Sequence, residues 1–233
     1  MIGESGSGKT TFVNILAGII KDYKGDIIYK NHPYNDHIRN KNFGFLFEES
    51  SLIKEMSIAE NLAIIKYPRR GFSSLINWKK VSKHAEEAFE KFGLELDYTK
   101  RVGSLVPEEQ KLVEIVKVVL AEPEVLVLHE PTNNLSVDTI NILYDIINFY
   151  TKNGGTVIYV TKQWEEALKT ADSIAVLTEG EIAGVLNVDD AKKNPQQLIN
   201  LYLGNFTNKQ VKNDDMGVID SIFKAAEFLV SEY

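Results

Sequence analysis

Alternating strand and helix patterns predict an α/β fold, with a mainly parallel sheet flanked by helices and an α-helical subdomain inserted into it. β-rich runs at residues 26–30, 43–46, 125–128 and 156–160 are separated by helical spacing, the alternation that builds such a sheet. Val125, Leu126, Val127 and Leu128 are consecutive and all apolar, which fits a central strand covered on both faces. Between residues 57 and 105 the β-rich runs stop and helical periodicity takes over.

Each element follows from its local pattern. Residues 11–17, behind a glycine-rich stretch, read as a helix start, and residues 77–92 place Val81, Ala85, Ala88, Phe89 and Phe92 on one helical face. Residues 173–177 and 181–187 flank Glu179-Gly180 and read as a hairpin. Residues 204–217 are polar and read as a linker. Beyond them Ile219, Ile222, Phe223, Ala226, Leu229 and Val230 recur at helical spacing, an amphipathic helix whose apolar face needs a cover.

Composition narrows the functions available. The chain has 233 residues, 26 basic against 33 acidic side chains and a net charge of −7, which argues against a nucleic-acid partner. Hydrophobic residues make up 44%, enough for a substantial core and too much for a disordered chain. Cysteine is absent, so disulfides, thiolate zinc sites and cysteine nucleophiles are excluded. No apolar window has the length of a membrane helix.

The sharpest motif is Gly3-Glu4-Ser5-Gly6-Ser7-Gly8-Lys9-Thr10, which fits G-x-x-x-x-G-K-[ST], with Thr11 opening the helix behind it. Glycines let successive backbone N–H groups turn inward around phosphate oxygens, and the helix N-terminus adds the positive end of its dipole. Lys9 would reach the terminal phosphates of a nucleotide, and the Thr10 hydroxyl would ligate Mg²⁺. The implied ligands are ATP and Mg²⁺, on a P-loop NTPase core.

Further motifs follow in a characteristic order. Phe43-Gly44-Phe45-Leu46-Phe47-Glu48 precedes Met56-Ser57-Ile58-Ala59-Glu60-Asn61-Leu62; residues 105–117 precede Ala121-Glu122-Pro123; then come Glu130-Pro131-Thr132-Asn133-Asn134-Leu135 and Val157-Ile158-Tyr159-Val160-Thr161-Lys162. This series resembles the ATP-binding subunits of ABC transporters. Residues 76–80, 93–97 and 113–117 resemble the ATPases of monosaccharide importers in particular. The resemblance implies one ATP-binding domain over residues 1–206, N-terminally incomplete, with a helical subdomain at about 57–105, followed by the linker and C-terminal helix at 207–233. It also implies a cytoplasmic subunit, peripheral at the inner face of the cell membrane. Its partners would be a permease and a second ATP-binding subunit, in a head-to-tail homodimer or heterodimer.

The departures from that pattern are as informative as the match. Glu48 stands at the Q-loop glutamine, where a carboxylate can still hold a hard cation. His129 replaces the Walker B aspartate with a softer imidazole that suits Mg²⁺ poorly, and a structural role for it is favoured. The signature segment becomes Leu105-Val106-Pro107-Glu108-Glu109, in which Pro107 lacks an N–H and Glu108 brings negative charge towards phosphate. Ser136 replaces the D-loop aspartate, and Lys162 replaces the switch histidine, offering a point charge in place of a group that exchanges protons near neutral pH. Glu130 still matches the general base.

Impaired hydrolysis is therefore expected. The alternatives are a regulatory or structural paralogue that binds ATP without turnover, and a truncated gene product. The last arises because only Met1 and Ile2 precede Gly3, where the family has a sheet strand and an adenine-stacking aromatic. Losing that strand is expected to leave neighbouring backbone groups unpaired, at about 1–3 kcal/mol for each buried one.

Overall fold

A computed structural model describes residues 1–66 and 78–203. The start of the expected 77–92 helix, the linker and the C-terminal helix lie outside these residues. In chain order the elements are α1 (Lys9–Leu16), β1 (Ile28–Tyr29), β2 (His32–Pro33), α2 (Asp36–Asn42), β3 (Phe43–Leu46), α3 (Ile58–Lys66), α4 (Trp78–Lys91), α5 (Pro107–Leu120), β4 (Val125–His129), α6 (Val137–Lys152), β5 (Thr156–Val160), α7 (Trp164–Thr170), β6 (Ser173–Thr178), β7 (Glu181–Asn187), α8 (Val188–Lys193) and α9 (Pro195–Tyr202). They form two compact units, one of residues 1–25 and 159 onward, the other of residues 26–158.

The first unit is organised around its second residue. Ile2 is fully buried and forms parallel bridges to Thr161 on one side and Val176 on the other. Its N–H donates to Ala175 O at 2.9 Å, Leu177 N–H donates to Ile2 O at 2.8 Å, and Thr161 N–H donates to Met1 O at 3.1 Å. The expectation of unpaired neighbours is therefore corrected: two residues reach far enough into the sheet to bond the strands on both sides. Ile2 packs with Trp164, Leu168, Ile174, Val176 and Leu198 in one apolar cluster. The hairpin of β6 and β7 turns at Glu179 and Gly180, whose φ angles of 51° and 84° suit a two-residue turn that follows the strand twist.

In the second unit β3 runs parallel to β4, with Phe43 opposite Val125 and Leu46 opposite Leu128. On the far side of β4 lies β5, where Thr156 N–H donates to Glu124 O at 3.0 Å. All of β4 is buried, as its unbroken apolar run predicts. Gly44 lets β3 approach closely, since a Cβ there would lie 2.8 Å from both Pro123 Cγ and Val118 Cγ1. A second cluster joins Ile58 and Leu62 of α3, Ala85 and Phe89 of α4, and Leu112, Val113 and Val116 of α5. Val81 is buried too, as the helical face predicts, whereas Phe92 lies just beyond α4 and is only partly covered.

Two expectations change. The strand expected over residues 26–30 shrinks to Ile28–Tyr29, paired only with His32–Pro33, and Ile28 is 68% exposed, so no core stabilises a longer ladder. Helix α1 begins at Lys9 instead of Thr11. The core of β4 carries a clear stability consequence. Leu128→Ala should cost about 2–5 kcal/mol in urea unfolding, whereas Ile182→Ala on the exposed side of β7 should stay within about 0.5 kcal/mol.

Candidate nucleotide site

The phosphate-loop residues stay together in the first unit. Gly8 has φ 101° at the N-cap of α1, a left-handed turn that favours glycine, and Gly6 has φ 83°. A Cβ on Gly3 would sit 2.2 Å from Leu177 O, so only glycine lets the loop lie against β6. Gly180 N–H donates to Ser7 O at 3.0 Å, which ties the loop to the hairpin turn. Lys9 is buried, and its Nζ donates to Gly3 O and Glu4 O, both at 2.7 Å, with Ser7 Oγ at 3.5 Å. The ammonium is thus held inside the curve of the loop. Glu4, Ser5, Gly6, Thr10 and Thr11 are exposed, no side chain caps α1, and its first turn carries no acid that would compete with a phosphate.

Lys162 also belongs to this unit and is exposed. Its backbone is fixed from two directions. The Tyr202 hydroxyl donates to Lys162 O at 3.0 Å, and Thr161 Oγ1 accepts from Gln163 N–H at 3.0 Å.

The remaining candidates belong to the second unit. Glu48 follows β3, is exposed, and its Oε1 accepts from Asn133 Nδ2 at 3.4 Å. The loop behind it is held by one edge of α5. Lys111 Nζ donates to Phe47 O at 2.9 Å, Lys117 Nζ to Ser51 O at 3.5 Å, and Glu114 accepts from Ser51 N–H at 2.5 Å and Ser51 Oγ at 2.7 Å. Burial pushes the Lys111 ammonium below its ordinary pKa, opposed by Glu114 and Glu48, and it pushes Lys117 down against the pull of Glu114. Glu114 is 1% exposed. The available signal was its spacing: Lys111, Glu114 and Lys117 recur every third residue through residues 111–120, where every other position is apolar.

His129 closes β4 and is buried, and Glu130 follows it, also buried, with φ 46°. That burial suits the structural role expected of the imidazole. Glu108 turns to its own chain: its Oε1 accepts from Ser136 N–H at 2.9 Å and from Ser136 Oγ at 2.6 Å. These Ser136 bonds, with Thr139 close by, hold the Glu108 carboxyl below the usual carboxylate range. Ser136 is in turn the N-cap of α6, and Glu109 reaches back to Val106 N–H at 3.0 Å at the start of α5.

A profile of the ABC transporter family matches residues 1–133, more than half of the chain. The chain belongs to the ABC transporter family. A ribose import ATP-binding protein of Rubrobacter xylanophilus is 28% identical over 206 residues, covering 87% of this chain and 41% of its own length. One from Caldanaerobacter subterraneus subsp. tengcongensis is 32% identical over 186 residues, covering 77% and 37%. A xylose import ATP-binding protein of Moorella thermoacetica is 28% identical over 215 residues, covering 90% and 42%. The chain spans about two fifths of the length of these curated relatives. Among solved structures, a dimeric ATP-binding cassette in a post-hydrolysis state, bound to ADP and Pi, has a TM-score of 0.70 at 24% identity, covering 80% of this chain and 83% of that one. That likeness establishes the α/β P-loop fold of the ABC family.

The residues present fit the two ligands of the family unequally. The glycine turns, the uncapped start of α1 and the enclosed Lys9 ammonium suit the phosphates of a nucleotide. A nucleotide-bound Mg²⁺ needs only one or two side-chain oxygens beside the phosphates and water, and His129, buried at the end of β4, offers an imidazole nitrogen instead of an oxygen. Thr10 and the phosphates themselves remain as hard donors.

The polar edge of α5 makes its own prediction. Glu114→Ala should cost about 2–4 kcal/mol in urea unfolding, because it strips Ser51 of its acceptor and takes the countercharge from beside Lys111 and Lys117.

Proposed function

We propose that this chain is an ATP-binding subunit of an ABC transporter of the sugar-import type, with impaired hydrolysis of its own. The phosphate loop, closed around the Lys9 ammonium, is the observation that carries ATP binding. Residues Gly3, Glu4, Ser5, Gly6, Ser7, Gly8, Lys9, Thr10 and Thr11 would wrap the phosphates, with the helix end and the lysine balancing their charge. The import role is drawn from the ribose and xylose relatives. On this reading the subunit docks on a permease from the cytoplasmic side through its helical segment at about 57–105, paired with a copy of itself or a second ATP-binding subunit. Among the described residues no helix is long and apolar enough to cross a membrane, so the permease would supply the spanning part.

Glu130 would serve as general base, polarising the attacking water, and Lys162 would offer only a fixed positive charge at the switch position. His129 lacks the oxygen that steadies Mg²⁺, and Glu48 would serve as a substitute ligand. A second reading, a regulatory paralogue that binds ATP and never turns it over, is favoured by Glu108, which bonds within its own chain where the family would contact a partner's nucleotide.

Calorimetry with Mg²⁺-ATP, followed by phosphate release with and without a homologous cassette, separates these readings. Binding with turnover in a mixed pair supports the transporter subunit, and binding with none in either assay supports the regulator. Lys9→Ala should weaken ATP binding at least about 100-fold by removing a buried charge-assisted contact, and unchanged affinity would sink the phosphate-loop assignment. His129→Asp should tighten Mg²⁺-dependent binding by about tenfold, a difference of about 1.4 kcal/mol. An affinity insensitive to that change would place the metal defect elsewhere.

A further inference from the structure

We infer that Glu108 and Ser136 form an intrachain latch that joins the start of α5 to the start of α6 and makes two altered motif positions a single unit. The geometry is specific. One carboxylate oxygen takes both the backbone N–H and the hydroxyl of Ser136, at 2.9 and 2.6 Å, across 28 residues of sequence. The same hydroxyl lies 3.1 Å from Thr139 Oγ1 and accepts from Thr139 N–H at 3.4 Å, so the serine caps α6 while it holds the carboxylate. A negative charge at the first residues of α6 is also favoured by that helix's dipole. The depressed Glu108 pKa agrees with a carboxylate that is used as an anion.

This changes how the two departures are counted. Taken separately, Glu108 is a charge in the wrong place and Ser136 a lost carboxylate. Together they exchange an acceptor for a donor, and each supplies what the other needs. An aspartate at position 136 would keep a cap for Thr139 N–H, yet it would replace a donated hydrogen bond with a second carboxylate facing Glu108. Two like charges at that spacing repel, so the same substitution has opposite consequences depending on residue 108. The latch also ties the loop after Glu130 to the signature turn through these two hydrogen bonds. Val106 at 56% exposure and Val137 at 74% flank the contact and leave it on the surface, where a second chain would meet it already closed.

The test needs no nucleotide, so its failure is distinct from a failure of ATP binding. Urea unfolding compares the wild-type chain, Glu108→Ala, Ser136→Asp and the double variant. Ser136→Asp should lower the unfolding midpoint in the wild-type background and leave it equal or higher in the Glu108→Ala background. Equal shifts in both backgrounds overturn the latch. Hydrogen exchange gives a second readout should a variant fold poorly. Glu108→Ala should speed exchange of the Ser136 amide by about tenfold, the loss expected for one charge-assisted bond, with Glu108→Gln intermediate. An unchanged Ser136 amide in both variants overturns it as well.

Discussion

Helix α5 must bury an apolar face and hold charged groups on the same cylinder, and the second unit is arranged around that requirement. Leu112, Val113 and Val116 enter the cluster shared with α3 and α4. One step around the helix, Lys111, Glu114 and Lys117 grip the backbone and side chain of the loop behind β3. Charges this deep need polar partners, because an unpaired buried ion costs several kcal/mol, and the bonds they make to Phe47 and Ser51 hold the loop carrying Glu48. The first unit solves a simpler problem in the same manner, with Ile2 closing a backbone ladder on both sides while its side chain fills the core.

What was legible in the sequence was what is local. The phosphate loop declares itself within a few consecutive residues, and β4 within an unbroken apolar run. The hairpin at Glu179-Gly180 is likewise set by two adjacent residues with positive φ. Helix α2 went unread because none of its residues is buried, so it has no apolar stripe, and its markers are polar: the Asn35 cap on Ile38 N–H, Asp36 in the first turn and Arg39 and Lys41 in the last. The strand expected over residues 26–30 had the right residue types and no core to meet. Pairings across long stretches of chain were invisible for a different reason. Nothing in Glu108 or Ser136 taken alone distinguishes a bonded pair from two unrelated changes, and the sequence separation of 63 between Ser51 and Glu114 hides their contact equally well.

The candidate site is uneven in a physically consistent way. The glycine turns and the buried Lys9 ammonium keep a phosphate-loop geometry, while His129 and Lys162 stand where the resemblance implies an aspartate and a histidine, and Glu130 keeps its carboxylate. Phosphate binding relies on many main-chain dipoles and tolerates side-chain drift, whereas catalysis depends on a few atoms at fixed distances.

The Glu108–Ser136 contact also bears on the history open to this chain. If each residue is stable only in the presence of the other, reaching the pair that the family resemblance implies one substitution at a time must cross a less stable intermediate. Proteins sit close to their stability threshold, so such a valley is enough to block the path back. The contact would then act as a ratchet: a surface pair that adds little to the fold, yet makes the loss of a motif hard to reverse.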